Sequence, residues 1–233
     1  MVFSTSVSDL IRQRYSCRTY SDQQISPDDL EALEDFLTHC QVGPFNNPVR
    51  YKITSASEED NQSLRNLGTY GFIKNPAGFL MGVIQDDPGA LVDFGYQMER
   101  IIIRATELGI GTCWLGGTYT KSRFSALVNL QEGEFLPAVI SLGYPADQQA
   151  WMDRISRIYA GADRRLPWEN LFFTGSFNIP LPVEQTAGYQ EPLHLIRLAP
   201  SASNKQPWRI LKQGNHWHFY MERTKNYPSP LFN

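Results

Sequence analysis

Two arginines and a serine at alternate positions, Arg14-x-Ser16-x-Arg18, are the residues of this chain best suited to hold an anion. Guanidinium groups make charge-assisted, often bidentate bonds to phosphate oxygens or polar ring edges, and a hydroxyl adds a donor. In isolation such a triplet reads as solvated surface arginines; a second polar motif shifts the balance toward a ligand. That motif, Pro200-Ser201-Ala202-Ser203-Asn204-Lys205-Gln206-Pro207-Trp208-Arg209, crowds hydroxyls and amides into one loop. Ser, Asn and Pro favour turns by local hydrogen bonding or a fixed φ. Ser201, Ser203 and Asn204 can line a polar ligand, or cap a helix and feed the next strand. Gln206, Pro207 and Trp208 read as architectural. In Gly109-Ile110-Gly111-Thr112-Cys113-Trp114-Leu115-Gly116-Gly117 the glycines permit close backbone approach. Gly116 and Gly117 could present amides to a ligand, whereas a plain helix C-terminus explains Gly109 fully. Arg164 and Arg165 could close an anion site or face solvent.

Other reactive groups are sparse. Cys113 and Trp114 read as core. Cys17 sits between arginines, where a thiol pKa falls, but carries no redox assignment. His216 and His218 alternate on one strand without a third ligand, so no metal site is expected. There is no Gly-x-Ser-x-Gly elbow, no phosphate-binding Gly-Lys-Ser/Thr loop and no strong acid–base constellation. No catalytic side chain is therefore assigned, and a bound cofactor is expected to carry the chemistry.

The elements that must position these residues follow from periodicity. Ser6 to Arg14 reads as a short helix with Val7, Leu10 and Ile11 on one face. Ser26-Pro27-Asp28-Asp29 supplies an N-cap, an N1 proline and two acids for a second helix. Val49 to Thr54, Ala77 to Ile84 and Phe135 to Leu142 read as strands. Asp93 to Leu108 carries the strongest helical stripe, ended by Gly109. The stretch 151–188 reads as an extended connector with a short helix or two. Pro192 to Leu198 reads as helix, and Pro207 to Gln213 and Trp217 to Met221 as a hairpin about Gly214-Asn215.

With 233 residues, 42% hydrophobic and 19% charged, the chain can bury a proper core. A net charge of −3 without a basic run excludes a nucleic-acid footprint. No apolar run reaches membrane-helix length, and Met1 to Ser8 is no signal peptide. Three scattered cysteines argue for a reducing compartment. A cytoplasmic protein with a small-molecule substrate, no membrane and no nucleic acid is expected; the acceptor motif Asn61-Gln62-Ser63 is then a chance match. A weak internal repeat sets Asn47-Pro48-Val49-Arg50 against Gln206-Pro207-Trp208-Arg209, 159 positions apart. Both copies run helix, polar loop, Pro-x-Arg, strand.

Together these motifs resemble the FMN-dependent nitroreductase family. Arg14 to Arg18 is similar to its Arg-x-Ser-x-Arg phosphate motif, Gly109 to Gly117 to its Gly-x-Gly-x-x-Trp-x-Gly turn, and Pro200 to Arg209 to its Pro-Ser-x-x-Asn-x-Gln-Pro-Trp-Arg loop. Gly161-Ala162-Asp163-Arg164-Arg165-Leu166-Pro167 resembles its C-terminal basic patch more weakly. The resemblance implies an α+β fold with a central antiparallel-type sheet flanked by helices. It implies FMN as cofactor, NAD(P)H as reductant, and a nitroaromatic, quinone or similar acceptor. The alternative is a non-catalytic flavin-binding or sensing protein that has kept the fold. The implied cofactor residues are Arg14, Ser16, Arg18, Gly116, Gly117, Arg164, Arg165, Pro200, Ser201, Ala202, Ser203 and Asn204.

The motif order departs from the ordinary family, in which the Pro-Ser-x-x-Asn loop closely follows the arginines. Here that place, Gly43 to Pro48, is degenerate, and the intact loop lies far downstream. The arrangement resembles members built as two fused copies, tandem repeats that mimic a homodimer. The expected organisation is a first repeat over 1–150, a connector over 151–188 and a shortened second repeat over 189–233. A monomeric pseudo-dimer or weak homo-oligomer follows. The same shift carries the counterpart of Asp93 to Gly117 past Asn233, so the second copy is expected to be abbreviated or cut short.

Overall fold

The computed structural model describes residues 3–40, 42–55, 72–117, 121–146, 164–186 and 188–225. The chain divides into two compact units, Met1–Asp153 and Arg154–Asn233.

The first unit is built on an antiparallel sheet in the order β1-β2-β5-β3. The strands are β1 (Arg50–Ser55), β2 (Gly78–Gln85), β3 (Gly111–Leu115) and β5 (Val139–Gly143), and the short β4 (Glu134–Phe135) also pairs with β2. The run Gly-Phe-Leu-Met-Gly-Val-Ile forms β2 because both of its faces are covered. Phe79, Met81 and Val83 enter one cluster, with Cys17, Tyr20, Cys113 and Phe124. Leu80 and Ile84 enter the other, with Phe94, Met98, Ile101 and Ile140. Alternate residues of a strand point to opposite faces, so one segment nucleates both layers.

Helices α1 (Val7–Gln13), α2 (Pro27–Thr38) and α3 (Ala90–Glu107) precede α4 (Lys121–Val128). Ser26 caps α2 as its sequence predicts, its hydroxyl accepting from Asp29 N at 3.1 Å. Helix α3 lays Phe94, Met98, Ile101, Ile102 and Ala105 on the sheet. A Cβ on Gly82 would lie 2.8 Å from the Phe94 ring and 2.9 Å from Met98 Sδ, so this glycine permits the close helix–sheet approach. The helix stops as predicted at Gly109. With its φ of +74°, Gly109 N donates to Thr106 O at 3.0 Å and Ile110 N to Ala105 O at 2.8 Å. This is the paired bonding of a Schellman motif.

The glycine-rich stretch that follows is not the continuous turn its composition suggests. Gly111–Leu115 is strand β3, paired with β5 from Gly111↔Gly143 to Leu115↔Val139. Only Gly109 and the bend at Gly116-Gly117 break the chain.

The second unit holds a four-stranded sheet in the order β7-β6-β8-β9. Its strands are β6 (Phe172–Thr174), β7 (Ser176–Pro180), β8 (Trp208–Gln213) and β9 (His216–Met221), with helix α5 at Gln190–Ile196. The hairpin of β8 and β9 forms where expected, in antiparallel register from Trp208↔Met221 to Gln213↔His216. The supposed connector over 151–188 is corrected in its described part, which contributes β6 and β7. Its β6 pairs parallel with β8 through Phe172↔Ile210 and Phe173↔Leu211. The expected helix starts two residues early, because Pro192 falls in its first turn, where a missing N–H costs nothing. Leu171, Phe172, Leu181, Leu193 and Ile210 form a small core, flanked by Trp168, Trp208 and Trp217.

Candidate functional site

After α1 the chain turns extended, with Arg14 at φ −59° and ψ 131°. It then runs beside β3. Ser16 bridges Thr112 in parallel, and Cys17 N donates to Thr112 O at 2.8 Å. Farther on, Lys74 N donates to Arg18 O at 2.8 Å and Tyr20 N to Lys74 O at 3.0 Å. An extended chain sends alternate side chains to opposite sides. Tyr15 and Cys17 join the core, which leaves Arg14, Ser16 and Arg18 together on the other side. The Arg-x-Ser-x-Arg spacing thus has a structural meaning: it is a strand period on a segment pinned by backbone bonds.

Tyr20 pins it further. Its buried hydroxyl donates to Cys17 O at 2.8 Å and lies 2.8 Å from Ser141 Oγ. Burial pushes the Tyr20 pKa well above the usual phenol value, so the group stays a neutral donor.

The Arg14 side chain is only 8% exposed, and its Nε lies 3.7 Å from Glu99 Oε1. Glu99 Oε2 accepts from Trp114 Nε1 at 2.9 Å. Burial raises the Glu99 pKa, and Arg14 and Trp114 draw it back down only in part. Arg18 presents a different state: its Nη1 is buried and has no hydrogen-bond partner among the described residues. An unsatisfied buried donor on a cation is costly, and an anionic ligand is one group that would satisfy it.

Gly116 and Gly117 lie exposed just past β3, and a Cβ on Gly116 would meet nothing within 4 Å. The protein's own packing therefore does not require glycine at position 116. Cys113 is buried in the core, and Trp114 packs edge-on against Phe94. Both match their expected structural roles.

In the second unit the basic patch and the polar loop form one network. Arg165 Nη1 donates to Asn204 Oδ1 at 3.0 Å, and Arg165 Nη2 to Leu198 O at 3.3 Å. Asn204 Nδ2 donates to Arg164 O at 2.8 Å. Ser201 Oγ accepts from Gln206 N at 2.9 Å. The buried Gln206 amide accepts from Leu166 N at 2.9 Å and donates to Arg164 O at 3.2 Å. Ser203, Asn204 and Gln206 all have positive φ, near 50°, which is uncommon for residues with a Cβ. The loop is over-determined by side-chain bonds, which is how strained backbone persists. Ala202 and Ser203 are exposed at its tip, and Pro200 and Ser201 are half-buried.

The structure thus gathers Arg14, Ser16 and Arg18 in one unit. It gathers Arg164, Arg165 and Pro200 to Asn204 in the other. Gly161 to Asp163 lie outside the described residues. Three participants were not singled out from sequence as site residues: Glu99, Gln206 as the hub of its network, and Asp93. Asp93 accepts from Phe45 N at 2.8 Å, Asn47 N at 2.7 Å and Asn47 Nδ2 at 2.8 Å. Burial pushes its carboxyl up, but these bonds outweigh it and hold the pKa low. The degenerate loop at Gly43 to Pro48 therefore turns Phe45 N, Asn47 N and Asn47 Nδ2 toward an internal carboxylate. A polar residue inside or beside an apolar helical stripe was the one available signal for Asp93 and Glu99.

Among the described residues no cluster of three or more His, Cys, Asp or Glu could hold a metal. Nor is any described helix long and apolar enough to cross a membrane.

A family model described as "Putative TM nitroreductase" matches residues 6–229. A curated relative from Archaeoglobus fulgidus, "Putative NADH dehydrogenase/NAD(P)H nitroreductase", is 28% identical over 173 residues, covering 68% of this chain and 97% of the relative. A solved "putative nitroreductase" from Thermotoga maritima superposes with a TM-score of 0.59 at 21% identity, covering 96% of this chain and 79% of that one. A second solved structure, described as an oxidoreductase containing FMN, gives 0.55 at 19% identity, covering 66% and 85%. At these identities the solved structures bear on the fold.

Proposed function

This chain belongs to the family described as "Putative TM nitroreductase", and from that premise we propose that it is an FMN-dependent oxidoreductase. Its reductant is NAD(P)H and its acceptor a nitroaromatic, quinone or similar small molecule. The single observation that carries the cofactor is the buried Arg18 Nη1 without a partner, on the same side of its segment as the buried Arg14. That pair suits a phosphate dianion, which supplies acceptor oxygens to both guanidinium groups. The names of the Archaeoglobus relative and the FMN-containing neighbour support the same cofactor pair.

Bound there, FMN would supply hydride transfer between the nicotinamide and the acceptor. The protein's part is to bind and orient. Arg14, Ser16 and Arg18 hold the phosphate. Gly116 and Gly117 offer backbone amides, and at 116 no side chain blocks their approach. In the second unit, Pro200, Ser201, Ala202, Ser203 and Asn204 present hydroxyls and amides suited to the polar edges of a flavin. The Asn204 side chain is already bonded to Arg164 and Arg165. Its contribution is therefore to hold the loop shape that presents Ser203 and the loop backbone, and Arg164 and Arg165 serve that shape first.

We infer further that the chain is of the two-copy type and acts as a monomeric pseudo-dimer. Support comes from the recurring order of elements. Helix α2, a polar loop, β1 and its antiparallel partner β2 are matched by α5, a polar loop, β8 and β9. Within the Gly43 to Pro48 loop, Phe45 N, Asn47 N and Asn47 Nδ2 are committed to Asp93, which supports a single flavin per chain.

Anaerobic stopped-flow with the FMN-loaded protein tests the activity. NADH or NADPH should bleach the flavin band, and a nitroaromatic or quinone should restore it in a separate step, giving ping-pong kinetics. A yellow protein that neither nicotinamide bleaches would instead be the non-catalytic flavin binder.

A further inference from the structure

Arg14 enters the phosphate site from an awkward position, since a guanidinium this buried loses its hydration and needs a counter-charge even before ligand arrives. Among the described residues Glu99 is the one carboxylate at ion-pair distance from it. The contact is made by Oε1 to Nε at 3.7 Å, at the inner end of the guanidinium. A carboxylate placed there leaves the two Nη groups for a second, bidentate partner. Glu99 is itself fixed, because its other oxygen accepts from Trp114 Nε1 at 2.9 Å. Trp114 belongs to β3, and its ring packs against Phe94 of α3, the helix that carries Glu99. The relay Trp114, Glu99, Arg14 therefore joins the central helix, the strand leading to Gly116-Gly117 and the Arg14–Arg18 segment.

We propose that Glu99 is a positioning residue for flavin phosphate binding: it holds Arg14 buried and oriented, with Trp114 fixing Glu99 in turn. Its service is preorganisation, since an arginine ordered beforehand loses less freedom on binding. Glu99 acts through Arg14 and needs no contact with the ligand. The raised Glu99 pKa is consistent with a half-buried carboxylate in a poorly hydrated setting, where a neighbouring cation is felt strongly. This proposal rests on the assignment of Arg14 and Arg18 to the FMN phosphate.

The test compares FMN with riboflavin, which has the same ring and ribityl chain but no phosphate. Apoprotein is titrated with each and flavin fluorescence gives Kd, for wild type, Glu99→Ala, Glu99→Gln and Trp114→Phe. Glu99→Ala should weaken FMN roughly tenfold, the size of one charge-assisted contact, and leave riboflavin unchanged. Glu99→Gln keeps the shape and an acceptor for Trp114, so it folds like wild type, yet it should lose most of the same FMN preference. Trp114→Phe should fall between wild type and Glu99→Ala. Equal weakening of both flavins in the folded Glu99→Gln protein would show a merely structural role and overturn the proposal. So would an unchanged FMN Kd in both Glu99 variants. A wild-type protein that binds FMN no better than riboflavin would contradict the phosphate site itself, and the proposal with it.

Discussion

Arg165 and Asn204 are joined side chain to side chain, with the guanidinium Nη1 donating to Asn204 Oδ1 at 3.0 Å. Thirty-nine residues separate them in sequence, so this bond ties the basic patch to the polar loop. Arg165→Ala should destabilise the protein by about 1.5–3 kcal/mol, as expected for a lost hydrogen bond to a charged donor. Asn204→Ala should cost a similar amount, and the double variant should cost clearly less than the sum. Denaturant unfolding of the four proteins gives the coupling. Strict additivity would mean that the bond is not holding the loop.

The unpartnered Arg18 Nη1 makes a prediction of opposite sign for the apo and loaded states. Arg18→Leu removes a buried unsatisfied donor, so the apoprotein should keep or gain stability, by up to about 1 kcal/mol. FMN should then raise the melting temperature far less than in wild type, because the ligand-linked term shrinks with affinity. Thermal melts with and without FMN decide. A destabilised apoprotein with an undiminished FMN shift would remove Arg18 from the proposed phosphate site.

Gly111 and Gly116 should separate packing from ligand approach. A Cβ at Gly111 would sit 2.9 Å from Cys17 Cβ and 3.0 Å from Cys17 Sγ, displacing the segment that carries the arginines. Gly111→Ala should cost about 1–3 kcal/mol, the usual range for overpacking. At Gly116 a Cβ meets nothing within 4 Å, so Gly116→Ala should stay within about 0.5 kcal/mol of wild type. If its backbone faces the flavin, the same change should weaken FMN binding. Unfolding curves and FMN titrations of both variants check this pair.

Glu107 links acid stability to the N-terminal arm. It accepts from Ser4 N at 2.7 Å and Thr5 N at 2.8 Å, as well as from Ser4 Oγ and Arg104. Burial opposes its charge, but the bonds from Thr5, Ser4 and Arg104 prevail and lower its pKa from 4.5 to about 2. A folded value below the unfolded one means that the folded state binds fewer protons. The contribution is complete above 4.5 and is lost as pH falls through about 2. Glu107→Gln should lower the melting temperature at neutral pH and narrow the gap to wild type across that acid window. Parallel melting-temperature curves for the two proteins would refute this role.

What could be read from sequence was what neighbours in sequence decide. The Ser26 cap, the α3 stripe and the Gly109 stop each rest on residues within one or two turns, and each formed as expected. The strand β6 escaped because Phe172–Thr174 is three residues long, too short to show alternation, and its pairing with β8 is non-local. The strand β3 was hidden by its own glycines. Gly111 is there to admit Cys17, a tertiary demand that looks like a turn signal in the sequence. Of the Arg14–Arg18 segment the alternation was legible, since the spacing of Arg14, Ser16 and Arg18 is the period of the extended chain found there. Their environment was not, because Glu99 reaches Arg14 across 85 positions through the packing of α1 on α3. Asn204 shows the same limit: its type suggested ligand contact, and only the fold revealed that both ends of its amide are already engaged.

The flavin content of the purified protein tests the proposed function most directly. The absorption spectrum is recorded on native protein after incubation with FMN and gel filtration, and the flavin released by denaturation is identified and quantified per chain. A yellow protein that releases one FMN per chain is the predicted result, with Arg14→Ala and Arg18→Ala colourless under the same treatment. A colourless wild-type protein that cannot be reconstituted with FMN would contradict it.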